Sequence, residues 1–240
     1  MDWLSVGIHT LGMMETTNNW KEDALNLIAR MPRLMGLIFR IREGREENIP
    51  NDDTSLSMVE RFIQCLDLPN ADSEKMKRII STYLVLHMDH GGGNLSTFTG
   101  KAIASSKATV YSAMAGAMNA LSGPLHGRAN QSCLEFVLKV GTSDPAEVEA
   151  FVRAELAANR PIFGFGHAVL RSEDPRATVQ FELGSQICPE DENFKIITTL
   201  REVAPRVLAE NPKISNPDAN VDIASGALLH HAGLTDPTYY

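Results

Sequence analysis

Apolar residues in this chain return at three- and four-residue steps almost from end to end, and that spacing commits it to helices. From Trp20 to Arg42 the residues Leu25, Ile28, Met31, Met35, Ile38 and Ile41 keep that step, which places them along one side of a helix. Pro32 predicts a bend in it, and Gly44 marks its end. A second stripe of Met76, Ile79, Ile80, Tyr83 and Leu84 predicts a helix from about Ser73 to His90, with Asp72 or Ser73 as its cap. Asp144, Pro145 and Glu147 read as a helix start made of an N-cap, a proline at the first position and a capping-box glutamate, and the run 148–158 follows from it. Further helices are expected over 175–186, 190–208 and 221–232. Alternating β-branched runs are scarce, no strand pair stands out, and no internal repeat is visible. The expected fold class is all-α.

The stretch from Ser96 to Ala120 is rich in small residues, among them Ala102, Ala104, Ser105, Ala108, Ala113, Ala115, Gly116 and Ala117. Small side chains let a helix lie close to several neighbours, so one central helix is expected here, stopped by Gly123 and Pro124. The loops 43–53 and 211–220 are the most polar stretches, and no sharp linker divides the 240 residues.

A formal net charge of -8 gives no basic face for nucleic acid. The three cysteines, Cys65, Cys133 and Cys188, are far apart and show no CxxC spacing. They argue against a disulfide framework and for a reducing compartment. No secretory signal and no apolar run of the roughly 18 to 20 residues needed for a membrane span is seen, so a cytoplasmic protein is expected.

Chemistry is concentrated in three blocks where histidines meet backbone breaks. In LHMDHGGGNLSTFT (86–99), His90 ends one helix, three glycines follow, and Asn94 or Ser96 can cap the next. This is not an esterase oxyanion loop, because no GxSxG elbow accompanies it. His87 and His90 find no third ligand at metal spacing, and no metal site is expected. In LSGPLHGRANQ (121–131), Gly-Pro and His-Gly put His126 on a tight loop. In GFGHAVLRSEDPRA (164–177), valine stands where a dinucleotide fingerprint needs its third glycine. The same block ends on Asp174-Pro175-Arg176, a helix start. Taken singly, each block is explained by an ordinary cap or turn.

Taken in order, DHGGGN, GPLHGRANQ and GFGHAVLRSEDPR resemble the citrate synthase family, and NVDIASGALLHHAGLTDPTYY (220–240) is similar to that family's closing segment. The resemblance implies a multi-helical fold with a large domain, 1–90 and 185–240, and an inserted smaller one, 91–184, that closes over substrates. It implies condensation of acetyl-CoA with oxaloacetate to citrate and CoA, with no cofactor, the CoA thioester being a substrate. It assigns Asp174 to remove the methyl proton, His90 to hydrogen-bond the thioester oxygen and His126 to polarise the oxaloacetate ketone. His167 and Asn94 would line the oxo-acid pocket; Leu121, Gly123, Gly127, Asn130 and Arg171 would face CoA. A 2-methylcitrate synthase using propionyl-CoA would carry nearly the same residues, and a non-catalytic helical paralogue is the reading from another class. A homodimer is implied for the full-length form.

Two departures accompany the resemblance. The segment SLSMVERFIQCL offers Glu60 where many relatives place a histidine, and Arg128 stands where a small or apolar residue is usual. The family's segments before and after this stretch, including two arginines for the oxo-acid carboxylates, are not found, so the chain is expected to be truncated at both ends and inactive alone. Its turnover, compared with that of a full-length relative in a thiol-release assay, is expected to be negligible; comparable rates would refute this.

Overall fold

The computed structural model describes residues 1–47, 49–68, 72–88, 91–123, 126–167 and 169–240. Among them are eleven α-helices, a closing 3-10 turn and no β-strand, only an isolated bridge between Phe165 and Ala219. The chain divides into two compact units, Met1–Pro69 with His87–Arg128 and Asn70–Leu86 with Ala129–Tyr240. These follow different lines from the domains expected above.

The first unit holds α1 (Asp2–Glu15), α2 (Trp20–Arg42), α3 (Met58–Leu66), α5 (Leu95–Ser105) and α6 (Val110–Leu121). Helix α2 lies where the periodicity puts it, but its buried face is not the expected stripe. Leu27, Gly36 and Phe39 are buried, whereas Leu25, Ile28 and Ile41 are exposed. Apolar residues occur on two sides of this helix, so period alone could not choose between them. Asp23, also buried, accepts from the Thr17 N–H at 2.8 Å and from the Thr16 and Thr17 hydroxyls, which pins the α1–α2 turn. Ile8, Leu27, Tyr111 and Ala115 make the core where α1, α2 and α6 meet. At the other end of α2, the buried Arg40 donates to the carbonyls of Arg45, Glu47 and Cys65 and to Asp67. Helix α3 begins with a reciprocal capping box between Ser57 and Glu60, which gives that glutamate a structural use.

The small-residue segment is two helices, not the one expected. Ser105 and Ser106 hydrogen-bond back to Ala102 and Ile103. Lys107 then turns through a left-handed conformation at φ 62°, and Thr109 caps α6 by accepting from Ser112 N–H. Side chains of this type compete with the helix for its own backbone groups. The small residues still serve close packing: a methyl on Gly100 would sit 3.3 Å from that of Ala117, across the α5–α6 contact.

The second unit holds α4 (Ser73–His87, its last residue counted with the first unit), α7 (Ala129–Val140), α8 (Pro145–Ala157), α9 (Pro175–Ile187), α10 (Glu192–Leu208) and α11 (Asp222–His231). Its interior is built from fully buried Leu134, Val137, Val148, Val152, Ile197, Leu200 and Ile223. Gly226 lets α11 approach α7, since a methyl there would come within 3.0 Å of Leu134. Asp144 caps α8 as expected, accepting from Ala146 and Glu147 N–H. The expected capping box is not formed. Glu147 accepts from the Thr142 hydroxyl, and the Asp144 N–H donates to that same hydroxyl oxygen. The cysteines are free and buried.

Two outcomes follow from this packing. A methyl on Gly184 would collide with the ring of Phe194, so Gly184→Ala is expected to destabilise by about 1–3 kcal/mol in urea unfolding. Glu155 is held down to a pKa of about 2 by Arg160 and Lys139. Its stabilisation is therefore complete above the ordinary glutamate value of 4.5 and is lost as pH falls from there towards 2. Glu155→Gln should flatten that part of the stability–pH curve.

Candidate functional site

The described parts of the three blocks fall in both units, and each is built from its own neighbours. In the first unit, Asn94 caps α5 by accepting from Thr97 N–H at 2.8 Å, and its amide nitrogen donates to the Gly91 carbonyl and the Thr97 hydroxyl. The cap orients the first N–H groups of α5 outward, and His126 meets them. Its Nε2 lies 3.1 Å from the Ser96 backbone nitrogen and 3.0 Å from the Ser96 hydroxyl. A backbone N–H can only donate, so Nε2 accepts and a neutral ring carries its proton on Nδ1. The loop that presents His126 is tight. His126 N–H donates to Gly123 and Gly127 N–H to the Leu121 carbonyl. A side chain on Gly127 would run into that carbonyl and 2.7 Å from Leu121 Cγ. Leu121 and Gly123 are thus the frame of the histidine loop. His90 lies outside the described residues.

In the second unit, glycine-turned loop 164–174 is sewn to the segment before α11. Gly164 and Gly166 have φ of 84° and 83°, open to glycine at little cost. Asn220 N–H donates to Gly164, Gly166 N–H to Asp218, and Asp174 N–H to Ala219. The Asn216 and Asn220 side-chain amides donate to Leu170, Ser172 and Gly166 carbonyls. His167 Nδ1 accepts from the Val169 and Leu170 N–H groups at 3.0 and 2.9 Å, which leaves a neutral ring with its proton on Nε2. Arg171 is exposed and donates to the Leu170 carbonyl at 2.9 Å.

This sewing pairs Asp174 with Arg176, whose charge also reaches Asp222. Asp174, 1% exposed, caps α9 through Arg176 N–H and takes the Arg176 guanidinium on both oxygens, at 2.7 Å for Nη2. Burial pushes its carboxyl up, but the Arg176 bonds and charge outweigh this and hold it below the ordinary range. Asp222, the first residue of α11, is shifted the other way. Burial raises it, Arg176 pulls it down and Asp174 pushes it up again. Tyr83 of α4 and Asn130 of α7 join the same cluster, hydrogen-bonded to each other. The Asn130 oxygen is buried and has no partner among the described residues, so as placed it faces the interior of the unit. Asp222 lies in the NVD segment, where the motifs of the three histidine blocks give it no mark. The one signal for it is its place at a helix start. No group of three metal-ligating side chains occurs among the described residues.

The family model for the citrate synthase C-terminal domain matches residues 1–240. This chain belongs to the citrate synthase family. It is 38% identical over 224 residues to the mitochondrial 2-methylcitrate synthase of Yarrowia lipolytica, covering 91% of this chain and 48% of that protein. It is 38% identical over 239 residues to mitochondrial citrate synthase 4 of Arabidopsis thaliana, covering 98% and 49%. Among solved structures it is similar to citrate synthase from Thermotoga maritima, with a TM-score of 0.80, 28% identity and coverage of 99% and 61%. It is also similar to the Thermoplasma acidophilum enzyme, described as a ternary complex with carboxymethyl coenzyme A and oxaloacetate. There the TM-score is 0.78 at 25% identity, with 96% and 60% covered. The chain spans about half the length of the curated relatives it matches.

The two histidine tautomers can be read directly. In ¹⁵N-detected spectra at neutral pH, the neutral rings of His126 and His167 should carry their protons on Nδ1 and Nε2 respectively. Ser96→Pro, which removes the N–H that fixes His126, should mix its tautomers.

Proposed function

We propose that this chain supplies condensation machinery for joining acetyl-CoA to oxaloacetate, giving citrate and CoA. The observation that carries the reading is the His126 ring seated by Nε2 on the start of α5, which leaves its Nδ1 proton for another acceptor. A neutral imidazole so held is a hydrogen-bond donor aimed at developing negative charge, without an acidic proton to lose.

The methyl group of a thioester is a weak carbon acid, so its proton must leave to a base while a donor meets the forming enolate oxygen. His126 suits that oxygen, and His167, with Nδ1 occupied and Nε2–H left to donate, suits the ketone of the oxo acid. This exchanges the ketone role the resemblance gave to His126. His90 keeps a substrate contact as its proposed part.

For the base, Asp174 is the residue the resemblance nominated, but its lone pairs are spent on Arg176 and its basicity is lowered. Asp222 has the higher affinity for a proton and feels the charge of the same arginine without a bond to it. We therefore assign proton removal to Asp222 and give Asp174 the task of holding Arg176. The enol then attacks the ketone carbon, and hydrolysis of the resulting thioester releases CoA. No cofactor enters this sequence, since CoA arrives as substrate.

Leu121, Gly123 and Gly127 are proposed to touch CoA through their loop, with Arg171 as a phosphate contact, and Asn94 to act on the oxo acid through its cap. Asn130 fits the interior network better than a CoA contact. Closure of 91–184 over 1–90 and 185–240 is proposed as the water-excluding step. Because α7 and α9 pack on α11, closure along that line would part them, and hinges that keep them together cost less. A homodimer is part of the proposal. The buried free thiols support a reducing compartment; a cytoplasmic one is proposed, while the curated relatives' names place them in mitochondria or a peroxisome. No helix among the described residues is long and apolar enough to cross a membrane.

The Yarrowia relative favours a second reading, with propionyl-CoA as the acyl donor. In a full-length version of the protein, thiol release with oxaloacetate should be faster from acetyl-CoA than from propionyl-CoA; the opposite preference would replace the first reading with the second. In that full-length version, Asp222→Asn should lower kcat by about 10²–10⁴-fold with oxaloacetate binding retained. Asp174→Asn should act chiefly on stability. The reverse pattern would return the base to Asp174.

A further inference from the structure

Gln180 of α9 is 2% exposed, and neither polar atom of its side-chain amide has a hydrogen-bond partner among the described residues. Burying an amide with both ends unpaired is costly, and such groups are normally met by protein or by ordered water. The side chain borders a cavity of about 10 Å³ walled by Ile79, Thr82 and Tyr83 of α4, Leu183 of α9, and Ser225 and Leu228 of α11. That is the room of a single water, and a site for one needs two to four polar partners. Four of the residues that line it carry polar side chains, Gln180, Thr82, Tyr83 and Ser225. Most of the lining is apolar, and the unpaired Gln180 amide is what sets this cavity apart from a dry void.

The place of Tyr83 gives the cavity a link to the chemistry. Tyr83 borders the cavity, is hydrogen-bonded to Asn130, and feels the charges of Asp222 and Arg176. Ser225 is one turn along α11 from Asp222, and its hydroxyl donates to the Asp222 carbonyl at 3.4 Å. We propose that the cavity is a built water site, in which one ordered water joins the Gln180 amide to the α4 and α11 hydroxyls, and that through Tyr83 it makes Gln180 a positioning residue for Asp222. The second half rests on Asp222 being the base; the water site does not.

The groups facing Asp222 are Arg176 and Asp174 from the start of α9, Tyr83 from α4 and Cys133 from α7. None of these is altered by changing Gln180. Burial is what raises the Asp222 carboxyl, and a nearby water dipole opposes that rise.

A high-resolution crystal structure of the 240-residue chain should show a water within hydrogen-bond distance of the Gln180 amide and of at least one wall hydroxyl. A well-ordered Gln180 with no such density overturns the site. In Gln180→Met, which keeps the volume and removes both polar atoms, the water should be gone and the Asp222 midpoint, followed by ¹³C carboxyl NMR, should move upward. Gln180→Asn, which keeps an amide, should restore the midpoint. An unmoved midpoint in Gln180→Met overturns the positioning role. Should that variant not fold, Tyr83→Phe must shift the same midpoint, and no shift overturns the role equally. These titrations need no turnover, so a failed base assignment in the kinetics of Asp222→Asn is told apart from a failed water site.

Discussion

The ion pair between Asp174 and Arg176 is the interaction on which the second unit's site depends. One carboxylate performs two local tasks, ending the backbone of α9 and fixing a guanidinium, and both are possible because it is buried and fully hydrogen-bonded. A buried carboxylate without such a partner would take up a proton instead. The fixed cation then becomes part of the surroundings of Asp222 and Tyr83. Two aspartates that feel the charge of one arginine are thus driven apart in basicity by how each is solvated and bonded. The same residue type serves as a strut in one place and as a candidate base in the other.

The first unit solves a different problem with the same economy of parts. An imidazole must be a donor at one nitrogen without becoming a cation, and the start of a helix provides an N–H group that only a bare nitrogen can accept. Asn94 completes that arrangement by capping the helix, so the donors that remain are held in a fixed direction. The glycines around His126 matter because the loop must turn within a few residues and lie against the Leu121 carbonyl.

Much of this was legible in the sequence. The helices of 20–42, 175–187 and 192–208 lie close to where spacing, caps and prolines put them, because those signals are local. The three histidine-bearing blocks were recognisable because sharp turns require glycine and proline at particular places. What could not be read was decided by contacts between distant residues. The buried side of α2 depends on what α1 and α6 present to it. The break after Ser105 depends on serine hydroxyls preferring their own carbonyls, which composition does not announce. Asp222 was hidden for the same reason: burial and a neighbour many residues away raise its proton affinity, while Asp174 carried the more visible motif.

The break between α5 and α6 has a geometric consequence for His126. A straight helix over 96–120 would be about 37 Å long, and its first and last turns would lie at opposite ends of a rod. Folded at Lys107 and Thr109, the segment becomes a hairpin of two short arms. The opening of one arm then lies beside the close of the other, which is how the loop after Leu121 reaches the Ser96 N–H. The turn is therefore a measuring device: adding or removing a residue there would rotate one arm against the other and carry the imidazole off the Ser96 N–H that fixes its proton.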